Sequence, residues 1–278
     1  MRNDVEILPI EDLVDFEAQP FKVVDDEAMQ ELADSVRTVG VLVPIIVRQM
    51  KDGKYEIISG HRRKRACEIV GKNTIPAVVA ELDDDQAAIL LVDSNLQREK
   101  LLPSERAYAY KLKLEALKHQ GVKNEFTSRH DVGKLESADI VGKSFGESGR
   151  QVQRYIRLTE LIYQLLDKVD EDIIKFIAGV EISYLDTKHQ ILLNDVIDYN
   201  CCEVSAKQGT QIKKHFLEGD LSEDKINEIL AEEKIQPKTE KISINYTRLK
   251  EYFPKDYTQK QCEEALWEIL EKWFKKNK

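Results

Sequence analysis

Cysteine is scarce in this chain and badly spaced for chemistry. The 278 residues hold four, Cys67, Cys201, Cys202 and Cys262, and no pair has the two-residue separation that zinc and redox motifs use. Reduced thiols and no cysteine metal site are therefore expected. Long apolar runs are missing as well. The longest, Val41 to Val47, is broken by Pro44 and falls far short of the roughly 18 residues a membrane span needs. Met1 to Ile10 lacks the basic-then-apolar order of a signal peptide, so a cytoplasmic protein with no membrane partner is expected. There is no Walker-type loop, and His61, His119, His130, His189 and His215 are scattered with no Ser or Cys partner in a motif. No enzyme constellation results. Aromatic residues are only 7% of the chain and charged residues 33%, which suits a helix-rich protein of two or three domains at this length.

Positive charge is also in deficit, with a net charge of −9, which on its face argues against a nucleic-acid binder. Its distribution reverses that. Residues 1–36 hold eleven acidic residues against Arg2 and Lys22, so the whole deficit lies there and the rest of the chain is neutral. Within that rest, basic residues gather at 61–72 and 141–157.

What is present begins with a helix face over 26–39 (Met29, Leu32, Ala33, Val36), closed by Gly40. Short strands are expected at 45–47, 55–58 and 75–80, with a hairpin or short crossing loop at Lys51–Lys54, a basic helix at 62–70 and another helix at 84–95. From Pro103 the texture is helical, with helices expected at 104–120, 160–175, 186–198, 205–217 and 222–233 and a polar loop at 122–136. Residues 234–241 read as a linker. Beyond them Cys262, Ala265, Leu266, Ile269, Leu270, Trp273 and Phe274 form an apolar helical stripe that needs a partner, either a second copy or the middle domain.

Residues 57–66 carry the strongest signal, a strand end, the small turn Ser59-Gly60, and then His61 and four basic residues, Arg62 to Arg65, opening a helix. A helix start is already electropositive. Concentrating cations there makes sense mainly around a strong anion, either a nucleotide triphosphate or a nucleic-acid backbone. Some thirty residues on, Asn95, Gln97 and Arg98 stand at a helix end, where they can bind a ligand or cap the helix. Residues 137–158 have helix-turn-helix spacing, with a short helix to about Phe145, a turn at Gly146-Glu147 and a second helix capped by Ser148. Val152, Tyr155 and Ile156 face inward on that helix. Arg150, Gln151, Gln153, Arg154 and Arg157 face outward, with Lys143 and Arg157 suited to phosphates and the Gln/Arg set to base edges. A plain helical hairpin is the alternative.

Taken in order, Ser35 to Arg48, Tyr55 to Ala66, Ile75 to Val79, Asn95 to Arg98 and the helix-turn-helix resemble the ParB family of partition proteins over roughly residues 5–230. The resemblance implies an α+β ParB-like nucleotide-binding domain at 1–100. It further implies an all-α DNA-binding domain with a helix-turn-helix at 101–235, and a linker with a C-terminal helical segment at 236–278. It also implies a nucleoid-associated, CTP-dependent DNA clamp, a homodimer on a specific double-stranded DNA site, serving plasmid or chromosome segregation or nucleoid organisation. By motif position Gly40, Val41, Leu42 and Pro44 lie near the cytosine. Gly60, His61, Arg62 and Arg63 hold the triphosphate, and Asn95, Gln97 and Arg98 complete the pocket, with Asn95 near Mg2+.

Two positions depart from the family pattern. Its third motif usually begins with Glu before Asn, whereas this chain has Ser94 there and Asp93 one step earlier, so CTP binding is implied and CTPase activity is left open. Residues 1–36 are acidic where the family tends to carry an Arg-bearing peptide for a ParA-type ATPase, which leaves that partner open too. Two other functions share parts of this pattern. One is a transcriptional regulator without clamping. The other is a ParB-fold small-molecule kinase, which has no need of a helix-turn-helix; sulfiredoxin-like chemistry lacks its Cys beside the Gly-His-Arg turn.

Overall fold

A computed structural model describes residues 4–95, 101–119, 132–231, 253 and 258–276. Five short strands make one sheet: β1 (Val5–Pro9), β2 (Leu13–Asp15), β3 (Ile45–Gln49), β4 (Tyr55–Ser59) and β5 (Thr74–Val79), in the order β1-β5-β3-β4-β2. The β3–β4 and β1–β5 pairs are antiparallel, and β3–β5 and β2–β4 are parallel. Helices α1 (Glu27–Val39), α2 (His61–Ile69) and α3 (Asp84–Asn95) alternate with the strands, and α4 (Pro103–His119) follows. The sequence anticipates the three inner strands and all four helices to within a residue or two, but neither β1 nor β2.

Successive side chains of a strand point to opposite faces, and in β4 both Ile57 and Ile58 are fully buried. Ile57 shares a core with Met29, Ala33 and Val36 of α1 and Ala66 and Cys67 of α2. Ile58 shares another with Ala87, Leu91 and Val92 of α3 and Ala109 and Ala116 of α4. A sheet covered on both faces reads as continuous apolar runs, which is why these strands lack a polar alternation.

The helical part contains α5 (Val132–Phe145), α6 (Gly149–Arg157), α7 (Tyr163–Asp170), α8 (Phe176–Ile182), α9 (Thr187–Asn200), α10 (Ala206–Glu218) and α11 (Glu223–Ala231). The expected loop at 122–136 is corrected in its last residues, because α5 begins at Val132; residues 120–131 lie outside the described residues. The expected helix at 160–175 is corrected too. Asp172 adopts φ 60°, which ends α7, and Ile174 then bridges to Val204 before α8 starts. Leu158, Leu165, Ile182, Leu193, Ile212 and Ile226 fill this core, each burial contributing about 1.5–3 kcal/mol.

Helix α4 is buried on several sides. Ala109 and Ala116 pack with α3, Tyr110 and Leu114 with α5 and α6, and Ala107 enters the core of α7–α11. It is the strut common to the sheet and the helical part.

Met1–Glu232 and Glu233–Lys278 form two compact units. The second contains α12 (Gln259–Lys276). On it Cys262 is buried, Ala265 and Leu266 are half-buried, and Trp267, Leu270 and Trp273 are exposed. The side chains of Ile269 and Phe274 lie outside the described residues. Among the described residues no helix is long and apolar enough to cross a membrane.

Candidate nucleotide pocket and nucleic-acid interface

The β4–α2 junction is built on one glycine. Gly60 has φ 109°, and a Cβ placed there would stand 2.5 Å from Cγ2 of the buried Ile45. Only glycine combines that backbone conformation with that close approach. His61 is buried at the first position of α2, while Arg62, Arg63 and Lys64 are partly exposed.

Arg63 links the first two motifs. Its Nη1 donates to the carbonyl oxygens of both Val43 and Pro44, each at 2.6 Å, and burial pushes its pKa down from the usual arginine value. The loop after α1 is thereby held against the helix start. Gly40 caps α1 with φ 77°, Val41 packs partly into the core, and Leu42 and Val43 are exposed at 79% and 65%. An exposed apolar lip therefore borders a cationic helix start.

Much of the charge in Arg62–Arg65 is met from within the chain. Lys64 pairs with Asp15 at 3.1 Å, and Arg65 pairs with Asp25 and Glu68, its hydrogen bond to Asp25 raising its pKa. Arg62 lies 3.5 Å from Asp26, the residue that caps α1 through Met29 N. The acidic N-terminal stretch and the basic helix are thus partners, which corrects the expectation that all four cations await an external anion. Lys64 and Arg65 are engaged, and among the described residues the one ion pair of Arg62 is long and exposed.

Asn95 ends α3, which packs beneath β4 through Leu91 and Val92 beside Ile58. Its Nδ2 donates to Leu91 O at 2.8 Å, and its Oδ1 accepts no hydrogen bond among the described residues, so it can meet a cation. Gln97 and Arg98 lie outside the described residues. Asp93 is turned toward α4, where its carboxylate pairs with Lys113 Nζ.

The helix-turn-helix forms as the spacing predicts. Ser148 accepts from Gln151 N at 3.3 Å, Gly146 takes φ 67°, and Gly149 packs so closely that an added Cβ would meet Asp139 Oδ1 at 2.2 Å. Val152 is buried, with Tyr155 and Ile156 packed against the same core. Arg106 of α4 holds the turn through Glu147 at 2.7 Å. On the outer side Lys143, Ser148, Arg150 and Arg154 are exposed, and Gln151 and Gln153 are partly so.

Arg157 departs from its expected role. Its Nη2 donates to Ser183 O at 2.6 Å, its Nε to Ser183 Oγ at 3.1 Å, and its guanidinium lies 4.2 Å from the Tyr184 ring centroid. A helical wheel places it outward, but the end of α8 covers it. Arg157→Ala is expected to lower unfolding stability by about 1.5–3 kcal/mol, the value of hydrogen bonds from a charged donor. It should leave the salt dependence of DNA binding unchanged. A salt slope shallower by about 0.9 would show instead that Arg157 contacts a phosphate. Sequence reasoning also missed Lys113 and Arg106, because a lysine or arginine between leucines and alanines of an amphipathic helix looks like a solvated one.

The ParB N-terminal domain family matches residues 1–96. Over 219 residues the chain is 33% identical to a nucleoid occlusion protein of Halalkalibacterium halodurans, covering 78% of this chain and 70% of that one. This chain belongs to the ParB family. A probable chromosome-partitioning protein ParB of Pseudomonas putida is 39% identical over 143 residues, 51% of this chain and 45% of that protein. Among solved structures, a C-terminally truncated Caulobacter crescentus ParB complexed with CTP-gamma-S is 26% identical and covers 77% of this chain and 99% of that one, with a TM-score of 0.33. Within the ParB-type part, the tie from Arg63 to Val43 and Pro44 unites the two most distinctive sequence blocks.

Proposed function

We propose that this ParB-family chain is a DNA-binding, CTP-dependent partition or nucleoid-organising protein that acts as a homodimeric clamp. The observation that carries the reading is the Arg63 grip. It fixes the Gly40–Pro44 loop against the Gly60–Arg63 helix start, so that an apolar lip suited to a base adjoins backbone N–H groups and guanidinium suited to a triphosphate. Arg62, held only loosely by Asp26, is the cation that transfers to the phosphates. Mg2+ fits this donor set, since it commonly takes one or two protein oxygens and completes its shell with phosphates and water. Asn95 Oδ1 would hold it, and bound there the ion would neutralise triphosphate charge.

Turnover of CTP is not part of the proposal. With Ser94 at the usual Glu position and Asp93 engaged by Lys113, no free carboxylate stands at the start of the third motif among the described residues. A ParA-type partner is not proposed either, because Asp15, Asp25 and Asp26 of the acidic segment are tied to α2.

DNA reading is assigned to α6. Arg150→Ala and Arg154→Ala are expected to weaken binding to the specific site by about 1–3 kcal/mol each, and to random duplex by much less, measured by fluorescence anisotropy at fixed salt. Equal losses on both duplexes would mean that these residues touch only phosphates. The CTP assignment is tested by calorimetry with Mg2+ present, which should show saturable binding of CTP in preference to ATP.

A further inference from the structure

Lys113 lies midway along α4 with its side chain 6% exposed, among Tyr110, Leu114 and Ala116 of the core. An ammonium in such a place is costly unless it is paired and hydrogen-bonded. Its partners come from the two regions that a nucleotide-switched DNA binder must connect. From α3 comes Asp93, two residues before Asn95, whose carboxylate takes Nζ in a short ion pair. From the end of α5 comes Ser144, whose Oγ accepts from Nζ at 3.0 Å and lies 3.5 Å from Ile140 O. Ser144 sits between Lys143 and Phe145, at the last turn of the first helix of the helix-turn-helix, and Nζ also lies 5.9 Å from the Phe145 ring centroid.

The burial of the three groups is unequal. Asp93 has a side chain 39% exposed and can turn to water, whereas Lys113 cannot. A displacement of the last turn of α3 therefore leaves the ammonium to find compensation at Ser144, and the strain appears at the DNA-reading unit. No third nucleotide motif is needed to see this linkage, since the contacts run from α3 through α4 to α5.

We propose that Lys113 is the positioning residue through which the nucleotide pocket and the helix-turn-helix sense one another, the Asp93–Lys113–Ser144 bridge being the link. This rests on the proposal that CTP occupies the pocket ending at Asn95. A ligand that draws Asn95 toward a metal-bound triphosphate pulls Asp93 with it, and the Lys113–Ser144 bond responds.

Hydrogen exchange on the full-length protein, with and without CTP and Mg2+, tests the bridge. In the native chain CTP should change exchange at 61–66 and, by about fivefold or more, at 141–146, a size typical of coupled sites. In Lys113→Met the change at 61–66 should remain and that at 141–146 should vanish. Lys113→Arg, which keeps the charge, should restore it. Asp93→Asn breaks the ion pair from its exposed end and should uncouple in the same way, so it carries the test if the Met variant does not fold. Persistence of the distant change in Lys113→Met or Asp93→Asn would overturn the proposal, as would its absence from the native chain when the change at 61–66 is present. No change at 61–66 and no heat of CTP binding would mean instead that the nucleotide assignment itself is wrong.

Discussion

Arg62→Ala is expected to remove CTP binding while leaving the fold intact. In calorimetry with Mg2+ the native chain should titrate and the variant should bind at least about 100-fold more weakly. Hydrogen bonds to a charged group are worth about 1.5–3 kcal/mol each, and a guanidinium usually makes two to a phosphate. The stability cost is small by comparison, because the ion pair of Arg62 among the described residues is a 3.5 Å contact to Asp26 with both side chains more than a third exposed. Exposed pairs of that kind contribute about 0–1 kcal/mol. A melting temperature near the native value beside a lost titration therefore separates binding from folding. Unchanged CTP affinity would remove Arg62 from the pocket.

Gly60→Ala should destabilise the chain strongly, because it adds backbone strain and a close contact at the same position. The backbone there has φ 109°, and the new Cβ meets Ile45 Cγ2 at 2.5 Å and Ile45 Cβ at 3.0 Å. Ile45 is fully buried at the start of β3 and cannot swing away. A left-handed residue costs roughly 1–2 kcal/mol and overpacking about 1–3 more. The sum, about 2–5 kcal/mol, should lower the melting temperature by roughly 5–15 °C in a protein of this size. Gly53→Ala is the control. Its φ of 86° is similarly strained, but nothing lies within 4 Å of the added Cβ, so only the backbone cost should appear. If the two variants melt together, the close approach to Ile45 does not limit this turn.

The local parts of the fold could be read from sequence because their causes are local. Asp84–Asn95 carries a run of helix-forming apolar residues without glycine or proline, Ser148 announces a cap three residues before Gln151 N, and Gly60 stands where a strand meets a helix. What escaped notice depends on distant partners. β1 pairs with β5, some seventy residues on, and exposes Val5 and Ile7, so its residues show no pattern of burial that would mark a strand. The acids Asp15, Asp25 and Asp26 and the basic run 62–65 each look solvated alone, and only the parallel pairing of β2 with β4 and the packing of α1 on α2 bring them together. Arg157 differs from its expected outward place for the same reason, since the end of α8 covers a face that the helix alone would expose. Lys113 looked like surface because its burial is imposed by three helices at once.

For the nucleotide site, the Gly60–Arg63 turn and the Gly40–Pro44 loop were legible as separate blocks. Their union through Arg63 was not, because backbone carbonyls carry no sequence signature. That union also divides the basic run. Arg63 ties the two blocks together through Nη1, Lys64 and Arg65 are paired with Asp15 and Asp25, and the pair that Arg62 makes is the longest of these contacts.

Nucleotide held at the Gly60–Arg63 turn is proposed to govern how this protein occupies DNA. Genome-wide DNA capture comparing the native chain with Arg62→Ala tests it most directly. Loading followed by spreading should give the native protein peaks with broad shoulders, and the variant, still reading DNA through α6, should give narrow peaks at the same sites. Narrow peaks for the native chain, or shoulders that persist in Arg62→Ala, would contradict the account.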